Sequence, residues 1–206
     1  GKLKAQSLAF SMRQTKEIVA ANIFNRAFST SYLGGDGASL IASAGGGGSP
    51  SHPNVAGGTY TNGVATAIDL SEAALEQACI DIADFKNDRG LKIAVRPRKL
   101  VIPKELMFEA HRILKTDGQV YSADNTLNAI KTMGMIPEVV VNHYLTDTDA
   151  WFILTDVKNG LKYFERNGDE FTMDEDWDTE NAKYKARARY SFGWTDPRGI
   201  YASPGV

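Results

Sequence analysis

Residues 8–28, LAFSMRQTKEIVAANIFNRAF, decide how the rest of the chain is read. Leu8, Met12, Val19, Ile23 and Ala27 recur three or four apart, with Thr15 filling the gap between Met12 and Val19, so one stripe forms along a helix. Arg13, Lys16, Glu17 and Arg26 lie mostly off that stripe, and neither Gly nor Pro interrupts it. About twenty residues at a rise of 1.5 Å make a rod of roughly 30 Å, a backbone on which smaller layers are laid. The sequence Leu33-Gly34-Gly35-Asp36-Gly37 is expected to stop the rod, because Gly takes φ > 0 without a Cβ penalty. On that placement Gly35→Val should be destabilising.

Outward from the rod, residues 29–63 are rich in Gly, Ser, Asn and Thr and include four consecutive glycines, 45–48. That composition predicts a long surface loop, anchored near residues 36–41 and at Ser51-His52-Pro53. Residues 69–85 form a second predicted helix, with Asp69 and Glu72 at capping-box spacing and a buried face of Leu75, Ala78, Cys79, Ile82 and Phe85. Residues 91–95 and 100–102 read as strands. Pro103 and Glu105 suit a first helical turn, and Leu106, Met107, Ala110, Ile113 and Leu114 give a third helix one apolar side. A short helix follows around residues 126–133, ended by Gly134. Residues 138–144, 150–155 and 160–165 then read as strands separated by turns, with Asn159-Gly160 as a tight-turn signal.

The most regular pattern lies near the end. Tyr184, Ala186, Ala188, Tyr190, Phe192 and Trp194 alternate with Lys183, Lys185, Arg187, Arg189 and Ser191, which makes a long strand with one apolar and one basic face. Before it stand Asp174, Glu175, Asp176, Asp178 and Glu180. Four basic residues on one strand face repel unless something negative meets them. Three partners are open: the acidic segment of the same chain, that of a neighbouring copy, or nucleic acid.

The 206 residues suffice for one large or two small domains, and 43% apolar with 23% charged residues is an ordinary globular composition. A net charge of -2 argues against a dedicated nucleic-acid binder. One cysteine, Cys79, permits no disulfide framework or thiolate cluster within a chain, and it reads as a small core residue. His52, His111 and His143 each sit without a ligand partner in their own segment, so they read as structural or surface residues. No nucleophile elbow, phosphate loop, signal peptide or membrane-length apolar run is present, and we expect no catalytic, cofactor or metal site. The opening Gly1-Lys2-Leu3-Lys4 leads almost directly into the rod, which reads as an ordered or processed part of a longer protein.

Residues 22–28 (NIFNRAF), Gly35-Asp36-Gly37, Ser51-His52-Pro53 and residues 96–103 (RPRKLVIP), taken in this order, resemble the major capsid proteins of tailed bacteriophages, the Johnson fold. The resemblance covers most of the chain. It implies an α+β fold with a long spine helix, a long peripheral β-sheet, and an axial domain of helices around a mixed sheet. It divides the chain into a peripheral part (1–75), a mainly axial part (76–165) and a return to the peripheral domain (166–206). The family's N-terminal arm and extended loop precede the spine helix and are expected to lie outside this sequence, whether cleaved, disordered or removed. The implied function is a structural, non-enzymatic subunit of an icosahedral head, forming pentamers and hexamers around double-stranded DNA. Its partners would be other copies of itself, with scaffold, portal or decoration proteins as further candidates. DNA would be touched only non-specifically, and no membrane is involved. The protein would be assembled in the host cytoplasm and reside in the virion. Candidate inter-subunit contacts are Arg13, Arg26, Lys183, Lys185, Arg187, Arg189, Asp174, Glu175, Asp176 and Asp178. The competing reading is a nucleic-acid-binding module using the basic strand face.

Overall fold

The computed structural model describes residues 2–55, 57–119, 126–175, 177–178 and 181–206. In chain order the elements are helix α1 (Lys2–Asn25), the short strands β1 (His52–Pro53) and β2 (Thr59–Tyr60), α2 (Glu72–Ala83), β3 (Pro97–Ile102), α3 (Met107–Lys115) and α4 (Ala129–Met133). Then come β4 (Glu138–Val141), β5 (Trp151–Thr155), β6 (Leu161–Glu175), β7 (Ala182–Trp194) and β8 (Ile200–Ser203). The protein is α+β.

A four-stranded mixed sheet, ordered β4-β3-β5-β8, forms the centre. β3 runs parallel to β4 and antiparallel to β5, and β5 is antiparallel to β8. The pleat sorts its side chains into two cores. Leu100, Ile153 and Tyr201 stand in register and join α2, α3 and α4 through Leu75, Ile82, Ile113 and Ile130. Val101, Phe152 and Ala202 stand in the next row and face the other way, onto Leu40, Ile41, Ala27 and the end of α1. The Phe24 and Phe28 rings lie 5.2 and 5.8 Å from Phe152. Burial on both faces explains why β3 and β5 read as unbroken apolar runs rather than as alternation.

Several boundaries differ from the sequence reading. α1 ends at Asn25, well before the glycines at 34–37. Asn25 stops it with a side chain that donates to Tyr144 O and accepts from Thr146 N, a tie to the β4–β5 connection. Gly37 does have φ +76°, but it serves a tight turn, and Gly35 has neither a positive φ nor any atom near its Cβ direction. The stretch 29–63 is not a loose surface loop: Ala38, Ser39, Leu40, Ile41, Ala42 and Ser43 are buried. Ser71, not Asp69, caps α2, accepting from Ala74 N, while Asp69 accepts from Val206 N. Residues 91–95 form no strand, since Ala94 at φ +50° breaks extension. Pro103 precedes a 3-10 turn (Lys104–Leu106) that leads into α3, and Gly134 at φ +60° ends α4.

β6 and β7 form a separate two-stranded antiparallel ribbon. It leaves β5 at the Asn159 turn, where φ is +65°. Its base lies along α1. Lys16 Nζ sits 3.0 Å from Asp169 and 5.3 Å from the centre of the Tyr190 ring, and Val19, Ile23 and Arg26 share a groove with Tyr190, Phe192 and Trp194.

Candidate functional site

The ribbon carries most of the charged residues singled out in the sequence. Lys183, Lys185, Arg187 and Arg189 are exposed on one face of β7. Directly opposite them on β6 stand Asp174, Thr172, Glu170 and Asn167, in that order. Residues opposite each other in an antiparallel pair share a face. The same chain therefore places carboxylates in line with two of the four basic residues. Among the described residues, Lys185, Arg187 and Arg189 make no ion pair. Of the acidic candidates among the described residues, Asp174 stands in line with the basic row, while Glu175 lies opposite Ala182 and Asp178 is exposed in the turn; Asp176 lies outside the described residues.

The other ribbon face is apolar. Near the base it packs as a cluster of Tyr163, Tyr190 and Phe192 rings, with Tyr163 donating to Glu165. Towards the turn it is bare: Phe171 is 52%, Met173 64% and Trp177 95% exposed.

A second surface lies on α1. Phe10, Arg13, Gln14 and Glu17, spaced three or four apart, face Val140, Val141, Asn142, His143 and Tyr144 across a groove of about 310 Å³. Arg13 is exposed and without an ion pair among the described residues. Arg26 lies with its guanidinium carbon 4.3 Å from the Tyr32 ring centre, a cation–π contact within its own chain.

A buried polar junction was not anticipated. Asn62 is fully buried; its Nδ2 donates to Leu40 O (2.8 Å) and Pro197 O (2.9 Å), and its Oδ1 accepts from Ala42 N (2.8 Å). His52, also fully buried, places Nδ1 2.6 Å from Asp36 Oδ2 and Nε2 3.2 Å from Asn62 Oδ1. Tyr60 stacks on the His52 ring, with centroids 5.1 Å apart. Arg198 covers Tyr60 at 4.3 Å and pairs with Asp88 (2.8 Å) and Asp196 (3.3 Å). Burial pushes the Tyr60 hydroxyl up to about 12. A His–Asp pair invites comparison with a catalytic triad, but the second ring nitrogen faces a structural amide instead of a nucleophile. The junction is a brace between the 36–62 segment and β8. The other histidines, His111 and His143, are exposed. Burial also raises the Cys79 thiol to about 11, away from nucleophilic use. Among the described residues no three His, Cys, Asp or Glu side chains gather as metal ligands.

Residues 4–203 match the phage capsid protein family. The chain belongs to that family. Phage capsid proteins are a structural kind of phage protein. No curated protein matches this chain. Among solved structures, a phage-related protein from Bordetella bronchiseptica RB50 is similar in fold, with a TM-score of 0.51 at 13% identity. The match covers 98% of this capsid-family chain and 64% of that protein, so this chain spans just under two thirds of the relative's length. No described helix is long and apolar enough to cross a membrane.

Proposed function

We propose that this chain is the major head subunit of a tailed phage or prophage, with the Johnson fold, forming pentamers and hexamers that close an icosahedral shell around double-stranded DNA. The observation that carries this reading is the family match across residues 4–203. In this reading α1 is the spine helix and the ribbon is the long peripheral sheet. Residues 1–75 and 166–206 build the peripheral parts, while 76–165 build the axial part, with β8 lent to its sheet. Assembly takes place in the host cytoplasm, with scaffold, portal or decoration proteins as further partners, and the DNA is touched without sequence preference.

The surface chemistry supports the reading. Leu3 and Phe10 on α1 and Phe171, Met173 and Trp177 on the ribbon stay exposed in one copy, and such apolar surface on a folded protein marks an interface. The four basic residues of β7, Arg13, and the acidic residues 174, 175, 176 and 178 are the proposed inter-subunit contacts. The nucleic-acid-module reading loses ground, because Asp174 and Glu170 stand on the same face as the basic row. Electron microscopy of the full-length protein, expressed alone and with its neighbouring genes, tests the proposal. Closed shells or capsomer rings are expected. A clean monomer under both conditions at high concentration overturns it.

A further inference from the structure

We infer that the outer end of the β6–β7 ribbon of one subunit docks in the α1–β4 groove of a second copy, with Trp177 seated beside Phe10 and Asp178 meeting Arg13. This rests on the shell-subunit reading and names the contact between copies.

Two unsatisfied surfaces fit each other. The donor is the ribbon end. Trp177 is 95% exposed, between Asp174 and Glu175 on one side and Asp178 on the other. Residues 174–180, DEDWDTE, hold five carboxylates and no Lys or Arg. The acceptor is the groove of about 310 Å³ between α1 and β4, whose lining includes Phe10, Val140, Arg13 and His143, with Glu17 the acidic residue among them. The first sixteen residues carry Lys2, Lys4, Arg13 and Lys16 and no carboxylate. Leu3, 81% exposed and seven residues before Phe10, lies on the same side of the helix. Aromatic anchors in such grooves carry most of an interface's binding energy, and complementary charges at the edge set register and encounter rate.

The occupant is a second copy and not the same chain. Phe10, Arg13, Gln14 and Glu17 lie on one side of α1. Lys16, Val19 and Ile23 lie on the opposite side, and that side holds the base of the chain's own ribbon. Each copy then offers one donor and one acceptor at different places. Such a heterologous contact closes into rings when the rotation between copies permits.

The test uses the full-length protein under the conditions that give shells. Trp177→Ala should weaken association roughly thirtyfold, and Arg13→Glu about tenfold. Adding Asp178→Arg to Arg13→Glu should restore assembly, because the swapped charges meet again. Oxidised Gln14→Cys/Trp177→Cys protein should give a ladder of disulfide-linked subunits, while each single variant should not. These positions are on the surface, so the variants keep their fold. Parental yield from both Trp177→Ala and Arg13→Glu overturns the contact. So does a loss in Arg13→Glu that Asp178→Arg leaves unrescued, which would mean that another partner or segment takes the groove. Read on concentrated free subunits, an absent ladder overturns the contact even where no shell closes. A parent that never assembles overturns the shell reading instead, whatever the ladder shows.

Discussion

Replacing Asn62 by Leu keeps the volume of the side chain and removes its amide. The buried backbone pair Ala42 N and Leu40 O then loses the partners that Asn62 supplies at 2.8 Å each, Ile200 O and the His52 ring lose longer contacts at 3.2 Å, and Pro197 O keeps the Ile200 N–H. The backbone bonds from Asn62 N to Ala42 O and from Ala202 N to Asn62 O survive. Each orphaned buried group costs about 1–3 kcal/mol, so the pair costs roughly 4 kcal/mol. That is a large share of the roughly 5–15 kcal/mol that holds a domain together. At about 2–4 °C per kcal/mol for a chain of this size, the midpoint of thermal unfolding should fall by about 8–16 °C. Circular dichroism of the purified subunit reads it. Asn62→Asp separates donor from acceptor: it keeps an oxygen for Ala42 N and His52 but faces Leu40 O with a second oxygen, so it too should be strongly destabilised. Combining Asn62→Leu with His52→Leu should cost less than the two changes added, because they share one bond. A shift under about 2 °C for Asn62→Leu, with additive behaviour in the double variant, would refute the idea that this junction braces β8.

Two further outcomes can be checked on the same subunit. Gly37→Val should cost about 1 kcal/mol or more by denaturant titration, because φ is +76° there, whereas Gly35→Val, in open space, should stay within about 0.5 kcal/mol. Alkylation of Cys79 at pH 8 should run about a hundredfold slower in the folded protein than in denaturant, because its thiol is raised from 9.0 to about 11 and the thiolate is the reactive form.

The sequence was legible where local period and burial agree. The alternation over residues 183–194 marked β7, the apolar run at 100–102 marked β3, and the strand read over residues 150–155 is β5. α1 was visible from its 3.6-residue period, but its bounds were not: it begins at Lys2 and not at Leu8, and it ends at Asn25, which is held by Tyr144 and Thr146, more than a hundred residues away. The glycine and serine content of 29–63 hid a buried segment whose polar groups satisfy one another at a distance. Ser39 Oγ bonds Ile41 O and Ser49 N, and Asn62 reaches Leu40 and Pro197. His52 was legible only as a lone ring, because Asp36 sits sixteen residues upstream. The charged row on β7 was found at once, but its register against β6, with bulges between Glu165 and Glu170, is set by pairing and not by pattern.

β8 has a consequence for synthesis. Leu40 and Ile41 pack in the same cluster as Ile200 and Ala202, and Asn62 meets the carbonyl of Ile200. At about 5–20 residues per second, a ribosome needs roughly 7–28 seconds to travel from residue 62 to residue 200. Throughout that interval the early segment waits with its apolar groups uncovered, as a client for chaperones. The sheet is complete only when residues 200–203 are free to pair with β5, so its last strand is the last part of the fold to be made.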